Sequence, residues 1–114
     1  MNFVIIGPMR SGSSWLCTSL NNHPDITCHL ELLHRKSFND SPAVVNQYLY
    51  NTVYGPDCPG TIKGFKILYH QFWGHRTIGF YVLCQTLMSY KVKVIHLYRN
   101  YLDQYVSLQL ARRS

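Results

Sequence analysis

A short, wholly apolar run, Phe3-Val4-Ile5-Ile6, breaks off at Gly7 into Pro8-Met9-Arg10-Ser11-Gly12 and then into a helix-compatible stretch opening Ser13-Ser14-Trp15-Leu16. No other feature constrains the chain as tightly. A strand with no polar alternation is suited to burial on both faces, as in a parallel sheet. A glycine-rich turn that feeds a helix aims backbone N–H groups at an anion, and the helix dipole adds positive potential there.

The remaining sequence repeats the strand–helix alternation. Strands are predicted at 2–6, 26–30, 61–68 and 91–98, and helices at 13–22, 41–51, 79–90 and 100–112. His23-Pro24 stops the first helix, and Ser41-Pro42 opens the second with a capping serine and a proline at the first position. Two prolines and two glycines make 54–60 a loop. The strand at 91–98 becomes apolar on both faces, which predicts a place at the centre of the sheet. Leu102, Val106 and Leu110 are expected to form the core stripe of the last helix, with Asn100 as its cap and Asp103 at the third helical position. Strands separated by helices imply an α/β fold: a parallel β-sheet flanked by helices in three layers. Ligands of such sheets bind beyond the carboxyl ends of the strands, so the informative residues are expected there.

Composition narrows the partners. Eleven Lys and Arg against five Asp and Glu leave a net charge of +6 with histidine neutral, which suits an anionic partner. No apolar run reaches the ~20 residues of a membrane helix, and the amino terminus has no signal-peptide pattern. Cys17, Cys28, Cys58 and Cys84 are scattered, with no Cys-x-x-Cys and no Cys/His spacing suited to zinc. Free thiols and a cytoplasmic location are therefore expected, with no metal site.

Gly7 to Ser14 has the spacing of the phosphate-binding loop, G-x-x-x-x-G-K-[ST], except that Ser13 stands where the lysine should be. The cation inside the loop is Arg10 instead, and no strand ends in the aspartate that would hold magnesium. The loop is thus P-loop-like without triphosphate machinery, which counts against a kinase. The basic residues are spread over loops and ends rather than gathered on one face with aromatics, which disfavours a nucleic-acid-binding module.

The string Pro8-Met9-Arg10-Ser11-Gly12-Ser13-Ser14-Trp15-Leu16, followed by Leu20-Asn21-Asn22-His23-Pro24, resembles the 5′-phosphosulfate loop of the sulfotransferases that use 3′-phosphoadenosine 5′-phosphosulfate (PAPS), in particular the bacterial-type members. The resemblance implies that Arg10, Ser11, Gly12, Ser13 and Ser14 hold the 5′-phosphosulfate, that Arg10 is also catalytic, stabilising with the loop amides the charge on the sulfuryl oxygens and the leaving phosphate, and that Trp15 packs near the adenine; a core aromatic is the other reading of Trp15. Tyr98-Arg99-Asn100-Tyr101-Leu102-Asp103-Gln104-Tyr105-Val106-Ser107 resembles the family's second motif, which places Arg99 and Ser107 on the donor's 3′-phosphate. An arginine fork and a hydroxyl suit phosphate oxygens. Glu31-Leu32-Leu33-His34-Arg35 resembles the segment carrying the family's general base, which implies that role for Glu31; a solvated loop glutamate paired with Arg35 or Lys36 is the alternative. Gly64-Phe65-Lys66 also resembles a family string, so Lys66 is a candidate catalytic residue near donor or acceptor, or else a snorkelling strand lysine.

The resemblance runs from Phe3 to about Ala111, although family members are generally much longer. Residues 1–114 are expected to be one sulfotransferase-like domain, the amino-terminal donor-binding part, truncated relative to the family. It implies sulfuryl transfer to a hydroxyl or amine of a carbohydrate, lipid or small molecule. A remnant that binds the nucleotide without turnover stays open, as does a homo-oligomer that completes the site.

Overall fold

A computed structural model describes residues 1–8, 12–32, 41–69, 80–98 and 101–113. Its elements are β1 (Asn2–Gly7), α1 (Ser13–Asn21), β2 (Ile26–His29), α2 (Pro42–Leu49), a π-helical turn (Tyr50–Tyr54), β3 (Ile62–Leu68), α3 (Phe80–Ser89), β4 (Lys93–His96) and α4 (Tyr101–Arg113). The strands form one sheet in the order β2-β3-β1-β4, every pair parallel. The protein is therefore the expected α/β fold, a parallel sheet flanked by helices.

Strand periodicity divides the core. Phe3 and Ile5 of β1 face α1, where they meet Cys17 and Cys28, with Leu16, Leu20, Ile26, Ile62 and Leu97 packed around them. Val4 faces the other side, against Phe65 and Ile67 of β3, Val45 and Leu49 of α2, Val53 and Tyr54 of the π turn, and Val82, Leu83 and Leu87 of α3. Each fully buried aliphatic side chain contributes ~1.5–3 kcal/mol. The π turn reaches past the expected helix end at 51 and delivers Tyr54 into this core. The Tyr54 hydroxyl donates to Phe3 O at 2.6 Å, and its ring stands edge-on to Phe65. Burial pushes the phenol pKa up, so the hydroxyl stays a donor.

Local signals behave as their chemistry requires. Ser41 Oγ accepts from Val44 N–H at the start of α2, and Pro42 takes the first position. At the end of α1, Asn21 grips the backbone of Cys28: its Nδ2 donates to Cys28 O at 2.7 Å and its Oδ1 accepts from Cys28 N–H at 2.6 Å. His23 Nδ1 accepts from Asp25 N–H in the turn that follows. The Asn21–Pro24 string thus ties the end of α1 to β2.

Two expectations fail. The apolar strand near 91–98 is not central: β4 lies at the edge, paired among the described residues with β1 alone, and all four of its residues are exposed. The crossovers put β1 and β3 in the middle, and an apolar pattern reports a need for burial rather than a rank in the sheet. Likewise Leu102, Val106 and Leu110 of α4 are exposed rather than core. The expected Asn100 cap lies outside the described residues, as does the Asp103 side chain.

Gly64 sits opposite Phe3 in the ladder, and a Cβ there would meet the Phe3 ring at 2.5 Å. Gly64→Ala should therefore cost about 1–3 kcal/mol through overpacking, and Tyr54→Phe about 1 kcal/mol through the lost hydrogen bond. Urea unfolding midpoints check both; unchanged midpoints would contradict this packing.

Candidate functional site

The two crossovers that leave β1 and β3 diverge. Helix α1 packs against one face of the sheet, while α2 and α3 pack on the other. The region outside the carboxyl ends of the neighbouring strands β1 and β3 is thus where ligands usually bind in open α/β sheets.

The loop after β1 enters α1 through Gly12, whose φ of 88° is a left-handed conformation that glycine adopts without strain. Gly12 O accepts from Leu16 N–H, closing the first turn. No side chain caps this helix and no acidic residue sits in its first turn. Its first N–H groups thus point their positive field outward with no carboxylate of the helix's own first turn against them.

Lys66 comes to this point from β3. It lies on the α1 face of the sheet, in register with Ile5, and is only 5% exposed. Its Nζ donates to Ser14 Oγ at 2.6 Å and to Ser13 Oγ at 3.4 Å. On its other side, Glu31 Oε1 stands 3.4 Å away, with the Glu31 side chain 29% exposed. The snorkelling reading of Lys66 is thereby ruled out. Its ammonium points inward, to the position where a phosphate-binding loop would carry its own lysine and this one carries Ser13.

Four residues singled out from the sequence (Ser13, Ser14, Glu31 and Lys66) therefore converge on one point at the mouth of α1. Trp15 is next to them in the chain and 74% exposed, so it is not a core aromatic. Arg10, Ser11 and Arg99 lie outside the described residues. Ser107 is placed on α4, but its side chain lies outside the description. The end of β4 runs beside the end of β1, with Leu97 N–H donating to Ile6 O at 2.9 Å. The chain thus approaches residue 99 alongside the strand that feeds the loop.

A second group was not foreseen. Tyr69, just past β3, shares a hydrogen bond with His96 Nε2 at the end of β4, and the ring of Tyr98 stands 6.3 Å from that of His96. Spacing in the sequence gives no hint of it, because the two partners come from separate strands on either side of β1. Their common signal is position: each follows or ends a strand at its carboxyl edge.

Among the described residues no cluster of three or more His, Cys, Asp or Glu side chains is placed to hold a metal, and no helix is long and apolar enough to cross a membrane. No curated protein and no solved structure matches this chain. One family's sequence model, described as the sulfotransferase domain, matches residues 1–114, the entire sequence. That match, on a parallel sheet in which a lysine from the adjacent strand meets the hydroxyls at the start of α1, shows that the chain belongs to the sulfotransferase domain family.

Proposed function

We propose that this chain binds PAPS beyond the carboxyl ends of β1 and β3 and serves sulfuryl transfer from it to a hydroxyl or amine of a carbohydrate, lipid or small molecule. The observation that carries the reading is the Lys66 ammonium, held 2.6 Å from Ser14 Oγ at the open end of α1 and 3.4 Å from Glu31. A cation, two hydroxyls and the N–H groups of a helix start suit a phosphosulfate, and a carboxylate beside them suits a general base.

The roles follow from chemistry. Arg10, Ser11, Gly12, Ser13 and Ser14 hold the 5′-phosphosulfate. Lys66 stabilises the negative charge that grows on the leaving phosphate as the sulfur–oxygen bond breaks. Glu31 takes the proton from the attacking hydroxyl or amine, the role implied by the bacterial-type resemblance. Trp15 offers an exposed indole face to the adenine. Arg99 and Ser107 grip the 3′-phosphate, and the run of β4 beside β1 supports that placement. Holding the donor at both ends fixes the line of attack, and such positioning supplies up to about 7–11 kcal/mol of barrier reduction. Tyr69 and His96 sit at the same carboxyl edge of the sheet.

A binding-only reading is favoured by one observation. The second motif spans the end of β4 and α4, whose apolar residues are largely exposed, so its grip on the 3′-phosphate lacks a packed support. Nucleotide affinity without sulfuryl transfer would select it.

Calorimetric titration with adenosine 3′,5′-bisphosphate tests the site. Arg99→Ala should weaken binding about tenfold or more, some 1.4 kcal/mol, through loss of a charge-assisted phosphate contact. Lys66→Met should weaken it by a similar factor. Equal affinity in native and variant chains would remove the corresponding assignment. Glu31→Gln should leave nucleotide affinity within about threefold while slowing transfer by roughly 10²–10⁴. Full activity in that variant would exclude Glu31 as the base.

A further inference from the structure

Cys17 and Cys28 lie in the core between α1 and β2, 0% and 3% exposed, with their sulfurs 2.8 Å apart. Ordinary core packing would place two thiols at van der Waals distance. These are within about 1 Å of the 2.03–2.05 Å of a disulfide bond. Their elements are already held together: Asn21, one turn after Cys17, grips the backbone N–H and C=O of Cys28 itself. The same clamp keeps the two sulfurs beside each other.

The thiols are also chemically unequal. Cys17 Sγ donates toward Cys28 Sγ, with Cys28 O at 3.2 Å and His29 O at 3.4 Å also in reach; its pKa is lowered by the contact with the Cys28 thiol and by the Lys66 charge, against the opposing effect of burial. Cys28 is pushed the other way by the same hydrogen bond and by burial. It is the adjacency of the two sulfurs that lets one attack and its neighbour resolve. We propose that Cys17 and Cys28 form a redox-active dithiol which a small neutral hydroperoxide converts into a disulfide, fastening α1 to β2.

The step balances. The Cys17 thiolate attacks a peroxide oxygen, the O–O bond breaks, and hydroxide leaves a sulfenic acid behind. The sulfur of Cys28 then attacks that of Cys17 and displaces hydroxide, which leaves as water with the Cys28 proton. Two thiols and one hydrogen peroxide give one disulfide and two waters. Full burial restricts the oxidant to one small enough to enter during local opening.

The bond would act on the candidate site through geometry. Ser13, Cys17 and Asn21 recur every four residues along one stripe of α1. Ser13 meets Lys66, Cys17 meets Cys28, and Asn21 holds β2. Glu31 follows Cys28 by three residues. A covalent link at the middle of that stripe fixes the pitch of α1 relative to the strand leading to Glu31. The proposal itself does not depend on the sulfotransferase reading.

Cys58 and Cys84 are only half-buried and complicate the readout. The full chain carrying Cys58→Ser and Cys84→Ser removes them without touching the core. Treated with hydrogen peroxide under native conditions, it should lose both remaining thiols together and yield one non-reduced peptide pair joining Cys17 to Cys28. Its melting temperature should rise by about 5 °C or more, reversed by dithiothreitol. Two persistently free thiols would overturn the proposal. So would sulfinic acid on either cysteine with no cross-link, or a disulfide that forms only in the urea-unfolded chain. In the unsubstituted chain, peptide mapping that finds Cys58 and Cys84 oxidised while Cys17 and Cys28 stay reduced would overturn it equally.

Discussion

A lysine ammonium removed from water costs several kcal/mol unless oxygens replace its hydration. Lys66 meets that demand with the hydroxyls of Ser14 and Ser13 on one side and the carboxylate of Glu31 on the other. The gross attraction of one such ion pair is about 4 kcal/mol at an effective dielectric of 20. That roughly offsets the desolvation, so the pair adds little to net stability. Its effect is to set a cation and a carboxylate side by side at the mouth of a helix.

The sheet order makes this contact available. Chain order puts β2 between β1 and β3, but the sheet seats β3 directly beside β1. The α1 face of β3 therefore looks straight at the helix that β1 feeds. Gly64 leaves room for the Phe3 ring, and Lys66, two residues on, is the next side chain to point at α1. Beyond β3, β2 carries Cys28 under α1 and ends just before Glu31. The Asn21 clamp binds these parts together, so the carboxylate, the cation and the hydroxyls share one frame.

The opposite flank is built differently. Strand β4 pairs with β1 but leaves Val94 and Ile95 open, and α4 exposes Leu102, Tyr105, Val106 and Leu110. Mixed apolar and polar exposure on that side contrasts with the sealed core under α2, the π turn and α3. The grip at the mouth of α1 is embedded in packed structure, while the second motif stands on the thinner side of the molecule.

Much of the fold could be read from the residues one after another, because strands, caps and breakers act over a few neighbours. The apolar run at Phe3, the proline stop after His23, the Ser41-Pro42 helix start and the strand–helix alternation all declare themselves locally. The loop from Gly7 to Ser14 announced an anion site for the same reason. What lay beyond local reading was rank and reach. A strand apolar on both faces cannot say whether neighbours will flank it, and so β4 was assigned a centre that β1 and β3 occupy. The long side chain of Lys66 is consistent with solvent or interior until its strand is seated. Cys17 and Cys28, and Tyr69 and His96, pair only across elements. The sequence by itself determined the elements, their order and the glycine-rich turn between β1 and α1. Tertiary structure alone decided that a lysine from the adjacent strand serves that turn, because only strand pairing brings residues 52 positions apart within hydrogen-bonding distance.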